Sequence, residues 1–392
     1  MLASTRSPWF PATAAVFVGA WGVNQFTPIA AFHRADGAWP VLQVAAMFSI
    51  YVLGFLPALL WGGPAADRHG RGVVRHALVL SATASVLLAL GHQWPPMVYV
   101  SRLATGAAAG VLISAGTAWI GELSAASGNP AAGARRSTLA TVSGFAAGAL
   151  GTGAMLQWLP WPVVVPELVH ASMALTALAA LRRTPDTVPN RSVMRGVHGL
   201  CWATTRHPRF LGVVLPAGPA VFAAATVAYV VLPTLVSDRV SAYAPLFSGA
   251  VTALTLGVGV AIQPVAARID RDGSARAILV AMLIVVAGLV VGAAAAQEAS
   301  PVLVLAAAAT LGAGYGLVLA AGLREIERLA PPGSMRSATA IYHALAHGGM
   351  LTPLILAAGA GAAPYPVLLV TLAVIGVVCV LVAAGTARVH QP

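Results

Sequence analysis

The chain is built from long apolar blocks, each about twenty positions or more, separated by short clusters of arginine, proline and glycine. No block shows the alternation of period two that marks a half-buried strand. A helix rises about 1.5 Å per residue, so roughly 20 apolar residues cross a hydrocarbon layer about 30 Å thick. In lipid every backbone amide needs a partner within the protein, so continuous apolar runs of this length predict membrane-spanning helices rather than a barrel. Twelve are predicted, at about 10–32, 41–62, 73–92, 96–121, 138–158, 162–181, 210–235, 243–265, 276–296, 301–322, 338–359 and 365–386. Most connections between them are short. The longest runs from Arg182 to Arg209 and divides the helices six and six. The expected organisation is a six-helix bundle over 1–182, a linker over 183–209 and a second six-helix bundle over 210–392.

Composition agrees with this pattern. Of 392 residues, 58% are hydrophobic and only 8% are Asp, Glu, Lys or Arg. The mean hydropathy is +0.84. A soluble domain could not hide so much apolar surface. The net charge of +11 has no lysine in it; all 22 basic residues are arginine. With the N-terminus placed inside, 19 arginines fall in inner segments, Arg34 and Arg239 fall outside, and Arg102 falls within a span. This positive-inside bias puts both termini in the cytoplasm. It also accounts for the basic charge through topology and anionic inner-leaflet lipid, with no nucleic acid partner. The two cysteines, Cys201 in the linker and Cys379 in the last helix, are not placed to form a disulfide. The first apolar run is expected to be a retained span and not a cleaved signal.

The chain repeats itself at an offset of 200 residues. Arg6, Pro8 and Phe10 recur as Arg206, Pro208 and Phe210. Pro64, Ala66, Arg68 and Arg71 recur as Pro264, Ala266, Arg268 and Arg271, and Arg136-Ser137 recurs as Arg336-Ser337. Two repeated halves in one orientation are a transporter plan, with the substrate site between them near mid-membrane. The costly polar residues are not duplicated. Asn24 and Gln25 correspond to Ala224 and Ala225, Arg102 to Val302, Glu167 to Val367, and His343 and His347 to Ser143 and Ala147. The repeat is therefore expected to provide architecture and the exceptions chemistry.

One stretch between the second and third helices is specific. Gly63-Pro-Ala-Ala-Asp67-Arg68-His-Gly70-Arg71 resembles the Gly-x-x-x-Asp-Arg-x-Gly-Arg signature of the major facilitator superfamily. Its setting matches too: an inner turn after the second of twelve helices, with a degenerate copy 200 residues on. Arg102-x-x-x-Gly106-x-x-x-Gly110 resembles the pattern of the family's fourth helix. Gly144-x-x-x-Gly148-Ala-Leu-Gly-Thr-Gly153 resembles its glycine-rich antiporter motif, with Ala149 where that motif has proline. The resemblance implies an all-α fold of twelve helices in two pseudo-symmetric bundles. It implies a cytoplasmic gate made by Gly63, Asp67, Arg68, Gly70, Arg71, Glu122 and Arg336. There Asp67 would meet the N-terminus of helix eleven near Arg336 and Ser337, and Arg71 would reach Glu122. Gly63 and Gly70 permit close packing and a tight turn. The plainer alternative is an inner loop that only satisfies the charge rule.

An ionisable group near mid-bilayer costs at least about 2.5–3.5 kcal/mol, which makes each one a candidate. Arg102 lies about six residues, or roughly 9 Å, below the outer end of helix four. The resemblance makes helices one, four, seven and ten line the cavity. Arg102 could hold a substrate carboxylate or couple to a proton carrier, or it could be structural and bond helix-one carbonyls. Asn24 and Gln25 could bind substrate or bond a neighbouring helix. His343 and His347 share one face of helix eleven, and histidine suits a proton relay or substrate contact. A metal needs further ligands, and none is apparent; packed, hydrogen-bonded histidines are the other alternative. Glu167 and His170 sit three apart near the outer end of helix six. Glu167 could couple protons or merely reach the interface, since the resemblance makes helix six peripheral. Tyr229 and Tyr315 could wall a cavity for amphipathic molecules or pack helices.

The expected function is secondary active transport in a bacterial inner membrane by alternating access. The cargo would be a small amphipathic molecule exported against proton entry. An importer or facilitator of a small anionic metabolite is the alternative, favoured by the missing helix-one acid and antiporter proline. A transport-incompetent sensor is a remote third. No catalytic motif is present, so an enzyme is not expected. Nor is a cofactor or metal: the proton gradient is the energy source. The partners are the small-molecule substrate and the bilayer, and the protein is taken to act as a monomer.

Overall fold

The computed structural model describes residues 8–187, 202–271, 274–331 and 334–389, apart from Asp36 and Ala38. Among the described residues the secondary structure is all helical, with twelve helices long and apolar enough to cross a membrane. In chain order they are α1 (Phe10–Arg34), α2 (Val41–His69), α3 (Gly72–Gly91), α4 (Pro95–Ala126), α5 (Ala131–Trp158), α6 (Val164–Leu181), α7 (Phe210–Leu235), α8 (Ser237–Ile269), α9 (Arg276–Glu298), α10 (Pro301–Leu329), α11 (Ser337–Gly359) and α12 (Tyr365–Val389).

Several helices run past the apolar blocks that announce them. α2 continues through Asp67, Arg68 and His69, α4 continues to Ala126, and α10 continues to Leu329. Hydropathy reports only the stretch immersed in hydrocarbon. Beyond it, helical hydrogen bonds persist while polar side chains reach water. The Asp67–Arg71 stretch, expected as a turn, is thus mostly the last turns of α2. Gly70 alone makes the turn, at φ +84, a backbone region that residues with a Cβ rarely adopt.

Besides a break in α2 at Ile50, three helices are interrupted just before a proline. A proline has no amide hydrogen for the carbonyl four residues earlier. Pro28 follows the break in α1 at Gln25, between Phe10–Asn24 and Phe26–Ala35. Pro233 follows the π turn Val227–Val231 in α7. Pro353 follows the 3-10 turn Gly349–Leu351 in α11. Asn24, Gln25, Tyr229 and His347 all lie in or beside these irregular turns, a setting transporters use for ligand and ion sites.

The chain divides by packing into two compact units. One draws on Met1–Ile29 and Ile50–Gly196, the other on Ala30–Ser49 and Val197–Pro392. The stretch over 30–49, where α1 ends and α2 begins, therefore groups with the second unit and not with the six helices expected to hold it. In the first unit, Val16, Leu78, Leu112, Trp119, Ile120 and Leu123 form the buried centre. α4 crosses α2 at backbone contact. A methyl added at Gly106 would collide with the Tyr51 carbonyl, and one at Gly110 would sit 2.6 Å from the Phe55 carbonyl. α5 packs on α1 in the same way, with Gly148 against the Trp21 carbonyl. In the second unit, Gly312 and Gly316 of α10 meet the backbone of α8 at Thr255 and Gly259. Small residues at such crossings suit lipid, where association depends on packing and not on a hydrophobic drive.

Gly63 does not make the close approach expected of it: a methyl there meets nothing within 4 Å, while one at Gly62 would lie 3.0 Å from Val111 Cα. Thermal unfolding of Gly106→Ala and Gly63→Ala in detergent checks this assignment. The first is expected to be destabilised by about 1–3 kcal/mol through overpacking. The second is expected to unfold at the wild-type temperature or slightly above it.

Candidate functional site

In the first unit, five polar side chains from four helices meet inside the bundle. Gln25 of α1, Ser85 of α3, Arg102 of α4, and Glu167 and His170 of α6 are each no more than 1% exposed. Gln25 Nε2 donates to Glu167 Oε2 at 2.8 Å and lies 3.4 Å from Ser85 Oγ. Ser85 Oγ is 2.7 Å from His170 Nδ1, and His170 Nε2 is 3.1 Å from the Val18 carbonyl. The Ser85 hydroxyl and the Arg102 guanidinium both lie close enough to the Glu167 carboxyl to act on it electrostatically. The guanidinium carbon lies 4.5 Å from the Phe26 ring centroid and 5.0 Å from that of Tyr51. A desolvated cation gains about 2 kcal/mol or more over an aromatic face.

Local sequence explains the assembly. Glu167 and His170 are three apart and so project from one side of α6. Gln25 sits at the break in α1, where the helix changes course. Gly22 admits the imidazole: a methyl there would lie 3.0 Å from His170 Cε1 and Nε2. Glu167 does not reach for the interface. It is wholly buried and hydrogen-bonded, so although α6 is an outer helix by sequence order, this face of it points inward. Asn24 is also buried, at 3% exposure, beside the network. Ser85 is the member that sequence reasoning missed; a serine in an apolar helix is common and carries no signal of its own.

At the end of this unit that bears the Asp67–Arg71 motif, Arg71 is buried and forks onto Glu122: its Nε donates to Glu122 Oε2 at 3.1 Å and its Nη2 to Oε1. Asp67 lies 3.5 Å from Arg71, one helical turn away. The Arg71 backbone N–H donates to Asp186 Oδ2 at 3.0 Å, Thr187 donates to Glu122, and Trp119 Nε1 donates to the Pro185 carbonyl at 3.2 Å. The segment after α6 is thereby tied to the motif. Arg68 is exposed, and the Arg336 side chain lies outside the described residues.

In the second unit, Arg209 and Glu325 form a buried ion pair. Glu325 also meets Arg328 at 3.3 Å, and Arg328 meets Asp270 at 2.6 Å. This cluster too was missed, although the scarcity of carboxylates, 11 in the chain, could have flagged Asp270 and Glu325. Within the spans, aromatic rings gather around α7, α10 and α11. Phe222 lies 4.4 Å from His347 and 5.7 Å from Tyr315 between ring centroids, and Tyr229 lies 6.4 Å from Phe48. His347 Nδ1 donates to the His343 carbonyl at 2.6 Å, which leaves Nε2 as the acceptor of a neutral ring. The two imidazoles are 6.4 Å apart. No metal-ligating group of three residues occurs among the described residues. Tyr342, adjacent to the pair, donates to the Val318 carbonyl at 2.8 Å and ties α11 to α10.

An all-helical chain with twelve candidate spans, broken helices and buried charge in the spans has the make-up of a multi-pass membrane transporter. The profile of the Major Facilitator Superfamily matches residues 10–249, more than half of the chain, and the protein belongs to that superfamily. Solved structures share the fold at low identity. The nucleoside transporter NupG matches with a TM-score of 0.79 at 11% identity, covering 97% of this chain and 99% of that one. A mutant of NupG matches with a TM-score of 0.80 at 12% identity and the same coverage. A POT family transporter in complex with 5-aminolevulinic acid matches with a TM-score of 0.74 at 12% identity, covering 96% of each chain. Among curated protein sequences none matches this chain. The protein is a small-molecule transporter and not an enzyme.

The ion pair of the second unit has a measurable consequence. Glu325→Gln neutralises the carboxylate paired with Arg209, which is at 0% exposure. The expected loss is about 3–5 kcal/mol in denaturant unfolding. Arg68→Ala, at an exposed site, is expected to stay within about 0.5 kcal/mol of wild type.

Proposed function

We propose that this protein couples the passage of a small, partly apolar molecule to proton movement, exporting it across a bacterial inner membrane as a monomer by alternating access. The observation that carries the proposal is Glu167. A carboxyl held in the first unit by an amide, a hydroxyl and a guanidinium, with no exposed surface, is a group whose protonation state the surroundings can control. Among the described residues its Oε1 has no hydrogen-bond partner, so the site can accept one more proton donor or bear a proton itself. Arg102 acts in this reading as the cation that holds the deprotonated carboxyl in place.

The rings of Phe222, Tyr229, Tyr315 and His347 support an amphipathic cargo with a planar portion. The glycine seam at Gly144 and Gly148, where α5 lies against α1, supports the outward direction through its likeness to the antiporter motif. In the alternative, import of a small anion, Arg102 would be the anion anchor. That role is less favoured, because the guanidinium already faces Glu167 and two aromatic rings within its own unit. In the proposed cycle Asp67, Arg71 and Glu122 hold the motif end of the first unit rigid.

Proteoliposomes test the proposal. A thermal-shift screen first supplies a bound compound, since a ligand raises stability by mass action. An imposed pH gradient should then drive its flux. Glu167→Gln is expected to remove the gradient-driven part while retaining exchange of compound across the membrane, and Arg102→Ala is expected to abolish both. Full gradient-driven flux by Glu167→Gln would sink the proton-coupled reading. Flux that ignores the gradient in wild type would favour the facilitator.

A further inference from the structure

We propose that Ser85 is a hydroxyl switch through which a single proton is shared between the Glu167 carboxyl and the His170 imidazole. The proposal rests on the proton-coupled reading and names where the proton resides.

Donor accounting leads to it. The Val18 carbonyl can only accept, so His170 Nε2, 3.1 Å away, must carry a hydrogen. In the neutral ring Nδ1 is then an acceptor, and Ser85 Oγ at 2.7 Å donates to it. The Ser85 oxygen in turn accepts, from a protonated Glu167 and from Gln25 Nε2 at 3.4 Å. Gln25 Nε2 also donates to Glu167 Oε2 at 2.8 Å. One proton arrangement is therefore a carboxylic acid, a hydroxyl and a neutral imidazole, connected in series.

The same geometry admits a second arrangement. The Glu167 O–H bond breaks and its proton passes to Ser85 Oγ, while the original Ser85 O–H bond breaks and that proton passes to His170 Nδ1. Glu167 becomes a carboxylate and His170 an imidazolium. The total charge of the three is unchanged and no other reactant takes part. The new Ser85 O–H then points back at the carboxylate, which Gln25 holds and Arg102 attracts. The imidazolium donates to Ser85 and to Val18. At Ser85 Oγ and at both nitrogens of His170 donors and acceptors match in both arrangements, and the only side chain that must turn is a hydroxyl.

The surroundings isolate the trio. Among the described residues, α1 from Phe10 to Asn24 carries no ionisable side chain. α3 offers only Arg75 and His76, in its first turns, and α5 only Arg135 and Arg136, also in its first turns. α4 offers Tyr99, Arg102 and, at the motif end where Arg71 holds it, Glu122; among the described residues Arg102 is the cation whose field reaches the Glu167 carboxyl. The imidazole is pressed against α1 at Gly22, which keeps Nε2 on the Val18 carbonyl and so keeps Nδ1 facing Ser85. A set of bonds that served packing alone would need neither a titratable group at both ends nor a hydroxyl that can point either way.

Infrared difference spectroscopy of the purified protein in lipid, with the proton as the probe, tests the proposal without any substrate. Wild type should show, on acidification, the carbonyl stretch of a protonated carboxyl that Glu167→Gln lacks. Ser85→Ala and His170→Asn should each move the midpoint of that band by about one pH unit or more. Ser85→Thr, which keeps the hydroxyl, should restore the wild-type midpoint. Identical midpoints in wild type, Ser85→Ala and His170→Asn would overturn the switch, and so would the absence of a Glu167 band. Should Ser85→Ala fail to fold, ring-nitrogen NMR of wild type labelled at histidine decides the matter. The resonances lost in His170→Asn must report a hydrogen on Nε2 and a hydrogen-bonded acceptor at Nδ1; a hydrogen on Nδ1 alone would overturn it. Flux indifferent to pH together with an intact carboxyl–imidazole coupling would remove the transport reading and leave the switch standing.

Discussion

Lipid offers no hydrogen bonds, and this constraint orders the rest of the structure. Every amide, carboxyl and guanidinium taken into the spans must find its partner in the protein. The backbone meets the requirement with helices. The helices meet one another at glycine, where carbonyls can approach closely. The few polar side chains that enter the spans find each other across helices far apart in sequence, as Gln25 finds Glu167 and Ser85 finds His170.

The two units answer the constraint in different ways. Inside the first, ionisable groups are gathered into one network of carboxyl, imidazole, hydroxyl, amide and guanidinium. Inside the second, alanine and valine stand at the corresponding positions, an aromatic group gathers around Phe222, Tyr315 and His347, and His347 is tied to the His343 carbonyl along one helix. Both units also carry a clamp of arginine and carboxylate near helix ends, Arg71 with Glu122 in one and Arg209 with Glu325 in the other. The two clamps are not copies of each other, since Arg71 and Glu122 correspond at the 200-residue offset to Arg271 and Gly322.

The irregular turns link the backbone to this chemistry. Pro28, Pro233 and Pro353 each remove one amide from a helix ladder. The residues beside those gaps include Gln25, Tyr229 and His347, the same side chains that the network and the aromatic group employ. A helix that must change course exposes polar backbone to its neighbours. It can do so only where other protein surrounds it, which places the breaks inside the bundles.

Much of this was legible in the chain itself. Hydropathy alone located the twelve spans, because immersion in hydrocarbon is a property of one segment at a time. The 63–71 signature and the 200-residue offset pointed to the family for the same local reason. The scarcity of charge marked Glu167 and Arg102 as unusual. Tertiary structure decided the rest: that Gly62 and not Gly63 makes the close approach, that α6 turns Glu167 inward, that residues 30–49 group with the second unit, and that Ser85 joins two titratable groups. Which face of a uniformly apolar helix meets which neighbour leaves no periodic trace in sequence. Burial within a membrane protein is set by partners and not by hydropathy, since lipid and protein interior are equally apolar.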